Sequence, residues 1–443
     1  MSRLQRWWLD LNSSLWFVPA LMVLGAVLAA YGLVHLDDSS TLGREWERRH
    51  PLIFGAGVSG ARGMLSAIAG SMITVAGLIF SLTLSTLAQV ASQFTSRLLR
   101  NFMRDRSNQV VMGSFVSIFV YCLLVLRTIR DGDEVNFVPG IAVAFGLVLA
   151  LVSIGMLIFF IHHIATSIQA ANVIAGVAEE TQVAIGRLFP KKLGDDATPA
   201  EEAALAATHA LRWRPVAAQE SGYVQGINND ELLAFARETN AVVRMELALG
   251  SFVTRGTALV SVASYADGQP LTLDAAIATR LNECYLIGNQ RTLDQDVAFG
   301  VRQLVDIALK SLSPGVSDLS RAVTCLDWLG DVLALLAERH LGDPLRAEEG
   351  RVRVIALAPA FASYLATAFD QIRANAANDL AIYLRILAAL GTVAGHTRRA
   401  DYRQALRQQA DLVLEAAESH IEVEYELAQV RERHQAVGKA LVD

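Results

Sequence analysis

Four long apolar stretches dominate the first part of the chain. They cover about residues 15–36, 62–92, 108–127 and 138–162. Apart from Arg62 and Arg127 at their ends, these stretches contain no Asp, Glu, Lys or Arg. Each is close to the ~20 residues that an α-helix needs to cross a bilayer. The pattern therefore predicts a transmembrane domain of four helices over residues 1–165. The first stretch could also be a signal peptide, but no clear cleavage site follows it, so we expect a retained helix.

The pattern changes after the fourth stretch. We expect a helical linker over 166–212, then a small β-containing module over 213–270, where short alternating runs and Gly-rich turns predict strands. Residues 271–443 have helical periodicity, and we expect a helical cytosolic domain there, beginning with one helix from Asp274 to about Leu312. The predicted fold class is thus an α-helical membrane protein with four transmembrane helices followed by a cytosolic α+β region.

The second apolar stretch is unusual because it is rich in hydroxyl side chains. Residues at mostly three- or four-residue steps share one face of a helix. The candidate pore-lining residues on this face are Ser71, Thr74, Ser81, Ser85, Gln89 and Ser92. Small residues and hydroxyls also let membrane helices pack closely. Two interpretations follow, helix packing or a pore formed by several copies, and they are compatible with each other.

Charge gives an expected orientation. Residues 1–165 hold 12 Arg or Lys against 9 Asp or Glu, and the remainder holds 26 against 35, for a net charge of −6. Arg3 and Arg6 precede the first helix, and Arg97 and Arg100 follow the second. The positive-inside rule then places both termini in the cytoplasm of a multi-pass bacterial inner-membrane protein. Arginines in the first outer loop weaken this argument. The acidic balance excludes a general nucleic-acid binder.

Catalytic and cofactor motifs are absent from the sequence. It contains no P-loop, zinc-binding helix motif, nucleophile elbow or dinucleotide fingerprint. The turn Gly250-x-x-Val-x-x-Gly resembles that of lipoyl- or biotinyl-type modules, but Val216–Asp267 contains no lysine to carry such a group. Three scattered cysteines form no disulfide framework. We therefore expect no enzyme and no cofactor.

Charged residues cluster in the later part of the chain. This cytosolic charged motif comprises Arg291, Asp294, Asp296, Arg302, Asp306 and Asp318. Carboxylates in such numbers allow a metal or hydrolytic site. Salt bridges and helix caps within a helical bundle are the favoured interpretation, because Pro314 and Gly315 break the helix and Asp318 can cap the next one.

The run from Arg291 to Gly315, RTLDQDVAFGVRQLVDIALKSLSPG, resembles the signature of bacterial predicted membrane proteins in the domain-of-unknown-function 2254 family. Residues 91–100, ASQFTSRLLR, are similar to the family's segment after the second helix, and the likeness covers nearly the whole chain. Two departures stand out. The family often has Asn-Asp-Pro where this chain has Ser317-Asp318-Leu319, and Ser-Pro-Arg where it has Thr95-Ser96-Arg97. Roles of that asparagine and those prolines do not carry over, whereas Asp318 is retained.

The expected function is an oligomeric inner-membrane ion channel or pore, with a cytosolic domain for assembly or gating. The expected partners are the lipid bilayer, further copies of the chain and inorganic ions, with no nucleic acid. The alternative is a non-conducting membrane scaffold or signalling protein that binds a cytosolic partner. An enzyme built on the carboxylates of the charged motif is the weakest hypothesis.

Overall fold

A computed structural model describes most of the chain. The described residues are 16–39, 57–93, 105–130, 137–189, 208, 211–265, 273–293, 296–339, 341, 345–348, 351–357 and 359–442. They belong to two compact units, Met1–Gln169 and Ala170–Asp443. The fold class expected from the sequence is confirmed, since four apolar helices come first and a region with small sheets and helices follows.

The first unit contains four helices that are long and apolar enough to cross a membrane. They are α1 (Phe17–Ser39), α2 (Val58–Gln93), α3 (Arg106–Thr128) and α4 (Gly140–Ser167). Three of them extend beyond the predicted apolar stretches by three to five residues at one end. Arg97 and Arg100, which follow α2 in the sequence, lie outside the described residues.

Helix α3 is the packing centre of the first unit. More than half of the residues in its most apolar segment are buried, among them Phe115, Tyr121 and Val125. Helices α1, α2 and α4 contact it and turn large apolar side chains outward, among them Leu28, Phe80 and Leu151. An apolar surface of this kind is stable in lipid and costly in water.

Polar contacts tie the helix ends of the first unit together. The carboxylate of Asp37 accepts hydrogen bonds from the backbone N–H groups of Ile141 (3.2 Å) and Ala142 (3.1 Å), so α1 caps the N-terminus of α4. The guanidinium of Arg62 donates to the carbonyl of Ile129 at 3.1 Å, which joins the start of α2 to the end of α3. These contacts satisfy backbone groups that a membrane helix end otherwise leaves unpaired.

The second unit begins with a helix and continues with two small sheets. Helix α5 (Ala170–Leu188) packs against later helices, so this part of the expected linker belongs to the core of the second unit. The strands and intervening helices are β1 (Arg214–Ala217), β2 (Gly222–Ile227), α6 (Asn229–Glu238), β3 (Ala241–Met245), β4 (Phe252–Val253), β5 (Ala258–Ser264), α7 (Ala275–Glu283) and β6 (Tyr285–Gly288).

Helices form most of the rest of the second unit. They are α8 (Val297–Leu312), α9 (Leu319–Ala337), α10 (Phe361–Ala374), α11 (Leu380–Ala394), α12 (Ala400–His420) and α13 (Glu424–Ala440). The hairpin of β7 (Leu345–Glu348) and β8 (Arg351–Ile355) interrupts them. One sheet has the order β1-β5-β3-β8-β7 with a single parallel pair, β3 and β8, and the other has the order β4-β2-β6.

The expectation of one helix from Asp274 to about Leu312 is wrong. Helix α7 ends at Glu283, and Tyr285–Gly288 forms β6, which pairs with β2. Tyr285 and Ile287 are buried while their neighbours are half-buried, so the segment has the two-residue period of a strand. A four-residue strand is too short to be seen among helical patterns, and its pairing with a segment about 60 residues earlier decides its conformation.

Candidate functional site

One face of α2 is buried by the other helices of the first unit. Its buried residues recur at three- and four-residue steps, as on one stripe of a helix. They are Ala61, Leu65, Ala69, Met72, Ala76, Ile79 and Val90. This face packs on α3, whose contacts with α2 are extensive.

The opposite face of α2 consists of small residues alone. This small-residue stripe comprises Gly63, Ala67, Gly70, Thr74, Gly77, Ser81, Ser85, Ala88 and Ser92, all of them exposed. At about 100° per residue the stripe lies about 180° from the buried face. A Cβ added at Gly63, Gly70 or Gly77 would meet nothing within 4 Å. No helix among the described residues covers this face, so packing among the four described helices does not explain its small residues.

The six candidate pore-lining residues all lie on the exposed side of α2. Thr74, Ser81, Ser85 and Ser92 belong to the stripe, and Ser71 and Gln89 stand at its border. The glycines of the stripe are not among the candidates, although their seven-residue spacing is visible in the sequence.

Three hydroxyls on this side of α2 donate to the backbone of their own helix. Ser71 donates to the carbonyl of Ala67 and Thr74 to that of Gly70, each at 2.8 Å, and Ser92 donates to that of Gln89. A hydroxyl has one proton and two lone pairs. Once its proton is used on the backbone, the oxygen presents acceptor lone pairs to its surroundings.

The cytosolic charged motif forms separate pairs instead of one cluster. Arg291 binds Asp296 through Nε (2.8 Å) and Nη2 (2.7 Å), and Asp296, only 4% exposed, caps α8 by accepting from the N–H of Phe299. Gly250 has a φ of +78° and lies against this pair, where a Cβ would clash with both side chains.

Two further pairs complete the described part of the motif. Arg302 binds Asp306 at 2.8 Å within α8, and Asp318 caps α9 while contacting Arg321 at 3.2 Å. Asp294 lies outside the described residues. Within the described ranges no group of three or more His, Cys, Asp or Glu side chains is placed to hold a metal ion. The described part of the motif is thus made of caps and ion pairs.

Burial shifts the pKa of several groups in the second unit. It raises the pKa of Asp296 above its usual value, although Arg291 and the backbone N–H of Phe299 oppose the shift. It also raises the pKa of Cys284 to about 11, which leaves almost no thiolate at neutral pH. A buried thiol of this kind is chemically inert.

Sequence reasoning missed a basic cluster at one end of the five-stranded sheet. Arg351 and Arg353 both donate to the side-chain oxygen of Asn240, at 3.2 and 3.0 Å. No motif marks these residues, because they come from two segments more than 100 residues apart. The alternation Arg-Val-Arg-Val in β8 is the one signal that the sequence carries for them.

A family model described as "Predicted membrane protein (DUF2254)" matches residues 12–392. The chain belongs to this family. Uncharacterised proteins of Mycobacterium tuberculosis and Mycobacterium bovis are each 34% identical to it over 386 residues, which cover 86% of this chain and 72% of the relative. No solved structure matches this chain. As a DUF2254 protein with four apolar helices, the chain is a membrane protein.

Proposed function

We propose that this DUF2254 protein is an oligomeric ion pore of the bacterial inner membrane, with α2 of each copy facing the pore axis. The observation that carries the proposal is the small-residue stripe of α2, which is exposed over its whole length and lies opposite the packed face. Glycine and alanine let helices approach closely, and hydroxyls between them give a polar lining.

A helix face that contacts only lipid can carry large apolar side chains, so lipid contact alone does not account for the small residues of the stripe. Elsewhere on the membrane-facing surface the helices expose leucine, isoleucine and phenylalanine, for example Phe80, which is 52% exposed and lies next to Ser81. The contrast between these neighbours favours contact of the stripe with another copy or with water.

The hydroxyl geometry favours cations over anions. Thr74 and Ser92 use their protons on backbone carbonyls, so their oxygens present lone pairs outward. Rings of oxygen acceptors replace the hydration shell of a cation, as backbone carbonyls do in cation-selective filters. A charged side chain at mid-membrane is unnecessary for this mechanism.

We further infer a multi-pass arrangement with both termini in the cytoplasm and the second unit serving assembly or gating. Loop arginines support the orientation through the positive-inside rule. The caps and ion pairs of the charged motif support a structural role for the second unit, so we also infer that the protein is not an enzyme. A C-terminal alkaline phosphatase fusion should be inactive and a C-terminal green fluorescent protein fusion bright.

The decisive experiment is ion flux through proteoliposomes that contain the purified full-length protein. We expect potassium flux above that of protein-free liposomes, and we expect Ser81→Trp to abolish it because an indole at each copy fills a narrow path. Phe80→Trp is the matched control, since it adds the same ring at the adjacent, lipid-exposed position and should conduct as the wild type does.

Flux that is absent at every tested pH, voltage and divalent-ion concentration would contradict the pore. A wild-type oligomer without flux would then support the alternative, a non-conducting scaffold whose stripes pack directly against each other. Equal loss of flux in both tryptophan variants would show that the stripe is not the lining.

A further inference from the structure

We propose that the basic cluster of the second unit is a binding site for a phosphate group, free or as a monoester. This site lies at the end of the five-stranded sheet where β3 and β8 begin and β5 ends. Its residues are Asn240, Tyr265, Arg351 and Arg353. The proposal is independent of the pore and concerns a different unit of the protein.

The first argument is a buried charge that has no carboxylate partner among the side chains that the structure describes. Arg353 is only 7% exposed, and its Nε is buried without a hydrogen-bond partner. In the part of the chain that the structure describes, neither Arg353 nor Arg351 has a carboxylate within ion-pairing distance. Desolvation penalises a buried guanidinium that has no anion, which is why such groups are normally paired. An anion bound here would supply the missing partner.

The second argument is that the cluster is built and held in place. Asn240 adopts a left-handed backbone with φ of +46°, a conformation that asparagine accepts more readily than most residues. Its carbonyl accepts the N–H of Tyr265 at 3.2 Å, and the hydroxyl of Tyr265 donates to the carbonyl of Val352 at 2.7 Å. Three strand ends are thereby fixed around the two guanidinium groups.

The third argument concerns the class of ligand. The side-chain oxygen of Asn240 accepts a hydrogen bond from Nη1 of each arginine. The other N–H groups of the two guanidinium groups can donate to a ligand. Cζ of Arg351 lies 5.7 Å from the centre of the Tyr265 ring. Arg351 is exposed, so the site opens to solvent on that side. Two fixed positive charges and several donors match a dianion with several oxygens, as phosphate is near neutral pH.

The test is titration calorimetry of the full-length protein in a neutral detergent, with inorganic phosphate as the probe. We expect saturable binding with a Kd of about 1 mM or tighter. Arg351→Gln should weaken it at least about tenfold, since one charged partner of the phosphate is lost. Arg255→Gln removes an exposed arginine from the turn between β4 and β5 of the same unit and should bind as the wild type does.

A second variant tests the site while both arginines remain unchanged. Asn240→Asp places a carboxylate between the two guanidinium groups at a position whose backbone aspartate also tolerates. We expect this internal anion to abolish phosphate binding and to raise the melting temperature. Nanodiscs with and without phosphatidic acid distinguish a lipid phosphate, which would compete with the probe, from a soluble one.

Absence of saturable binding up to about 20 mM inorganic phosphate would overturn the proposal. So would equal binding by the wild type, Arg351→Gln and Asn240→Asp, because phosphate would then bind elsewhere. Neither result bears on ion flux, so the site and the pore can fail separately.

Discussion

Asp105 and His163 join the first turn of α3 to the last turns of α4. Oδ2 of Asp105 lies 2.6 Å from Nε2 of His163, while Oδ1 accepts the backbone N–H of Ser107 at 2.9 Å. One carboxylate therefore caps a helix and holds a neighbouring helix at the same end of the bundle. The ring of Phe159 stacks on that of His163 and fixes its orientation.

We expect His163→Ala to destabilise the first unit by about 1 kcal/mol, because a charge-assisted hydrogen bond is lost while Asp105 keeps its role as a cap. Thermal unfolding of the full-length protein in detergent measures the effect. His162→Ala is the control, since the adjacent His162 is exposed and should unfold as the wild type does. Equal effects of the two substitutions would refute a specific role for His163.

The buried pair of Arg291 and Asp296 predicts a pH-dependent stability. In Arg291→Gln the opposing cation is gone, so the pKa of Asp296 should rise further above its usual value. A carboxyl group whose pKa is higher in the folded than in the unfolded protein stabilises the fold below the unfolded pKa. This stabilisation is lost as pH rises through the folded pKa. The free energy of unfolding of the variant should therefore approach that of the wild type at about pH 4. At neutral pH it should be lower by about 3 kcal/mol.

Denaturant titrations at several pH values measure this difference. Arg291→Gln combined with Asp296→Asn should recover part of the loss at neutral pH, because no buried charge then remains unpaired. Arg302→Gln breaks a partly exposed pair on one helix and should cost about 0.5 kcal/mol. A loss in Arg291→Gln that is the same at every pH would argue against the titration of Asp296.

Sequence patterns predict the four membrane helices because uninterrupted apolar runs of this length are rare in water-soluble domains. They also indicate Asp318 as a cap and the exposed hydroxyl face of α2. They miss β6, because a strand of four residues depends on distant pairing, and they miss the site around Asn240 and Arg353, because strands far apart in sequence create it. Local periodicity predicts elements well, whereas contacts between distant segments follow from tertiary packing.

The close approach of α8 to α5 depends on Gly300. A Cβ at this position would clash with the side chain of Thr181 and approach that of Leu293 at 2.7 Å. We expect Gly300→Ala to destabilise the second unit by about 2 kcal/mol through overpacking. Thr181→Ala removes the atoms in conflict, so the double variant should lose less than the sum of the two single variants. Strict additivity in denaturant titrations would show that the contact is not the cause.

The three thiols of the chain are all buried and free of disulfides. Burial also holds the pKa of Cys284 at about 11, so its thiolate is scarce at about pH 8. We expect the native protein to show no thiol that reacts with a maleimide within minutes, and the denatured protein to show three. A fast-reacting native thiol would contradict the burial of its cysteine.

Inert native thiols make an added cysteine a specific reporter of the small-residue stripe. If stripes of two copies pack directly against each other, Ser81→Cys should form a disulfide on mild oxidation, because that bond needs Cα atoms within about 7 Å. If the stripes surround water, disulfide formation should be slow, and a longer bismaleimide should link the copies. A charged methanethiosulfonate reagent should then modify the Ser81→Cys variant and reduce its ion flux. Phe80→Cys should show none of these reactions, since its side chain faces lipid. Cross-linking of the Phe80 variant but not the Ser81 variant would show that a different face of α2 joins the copies and would remove the main support for the pore.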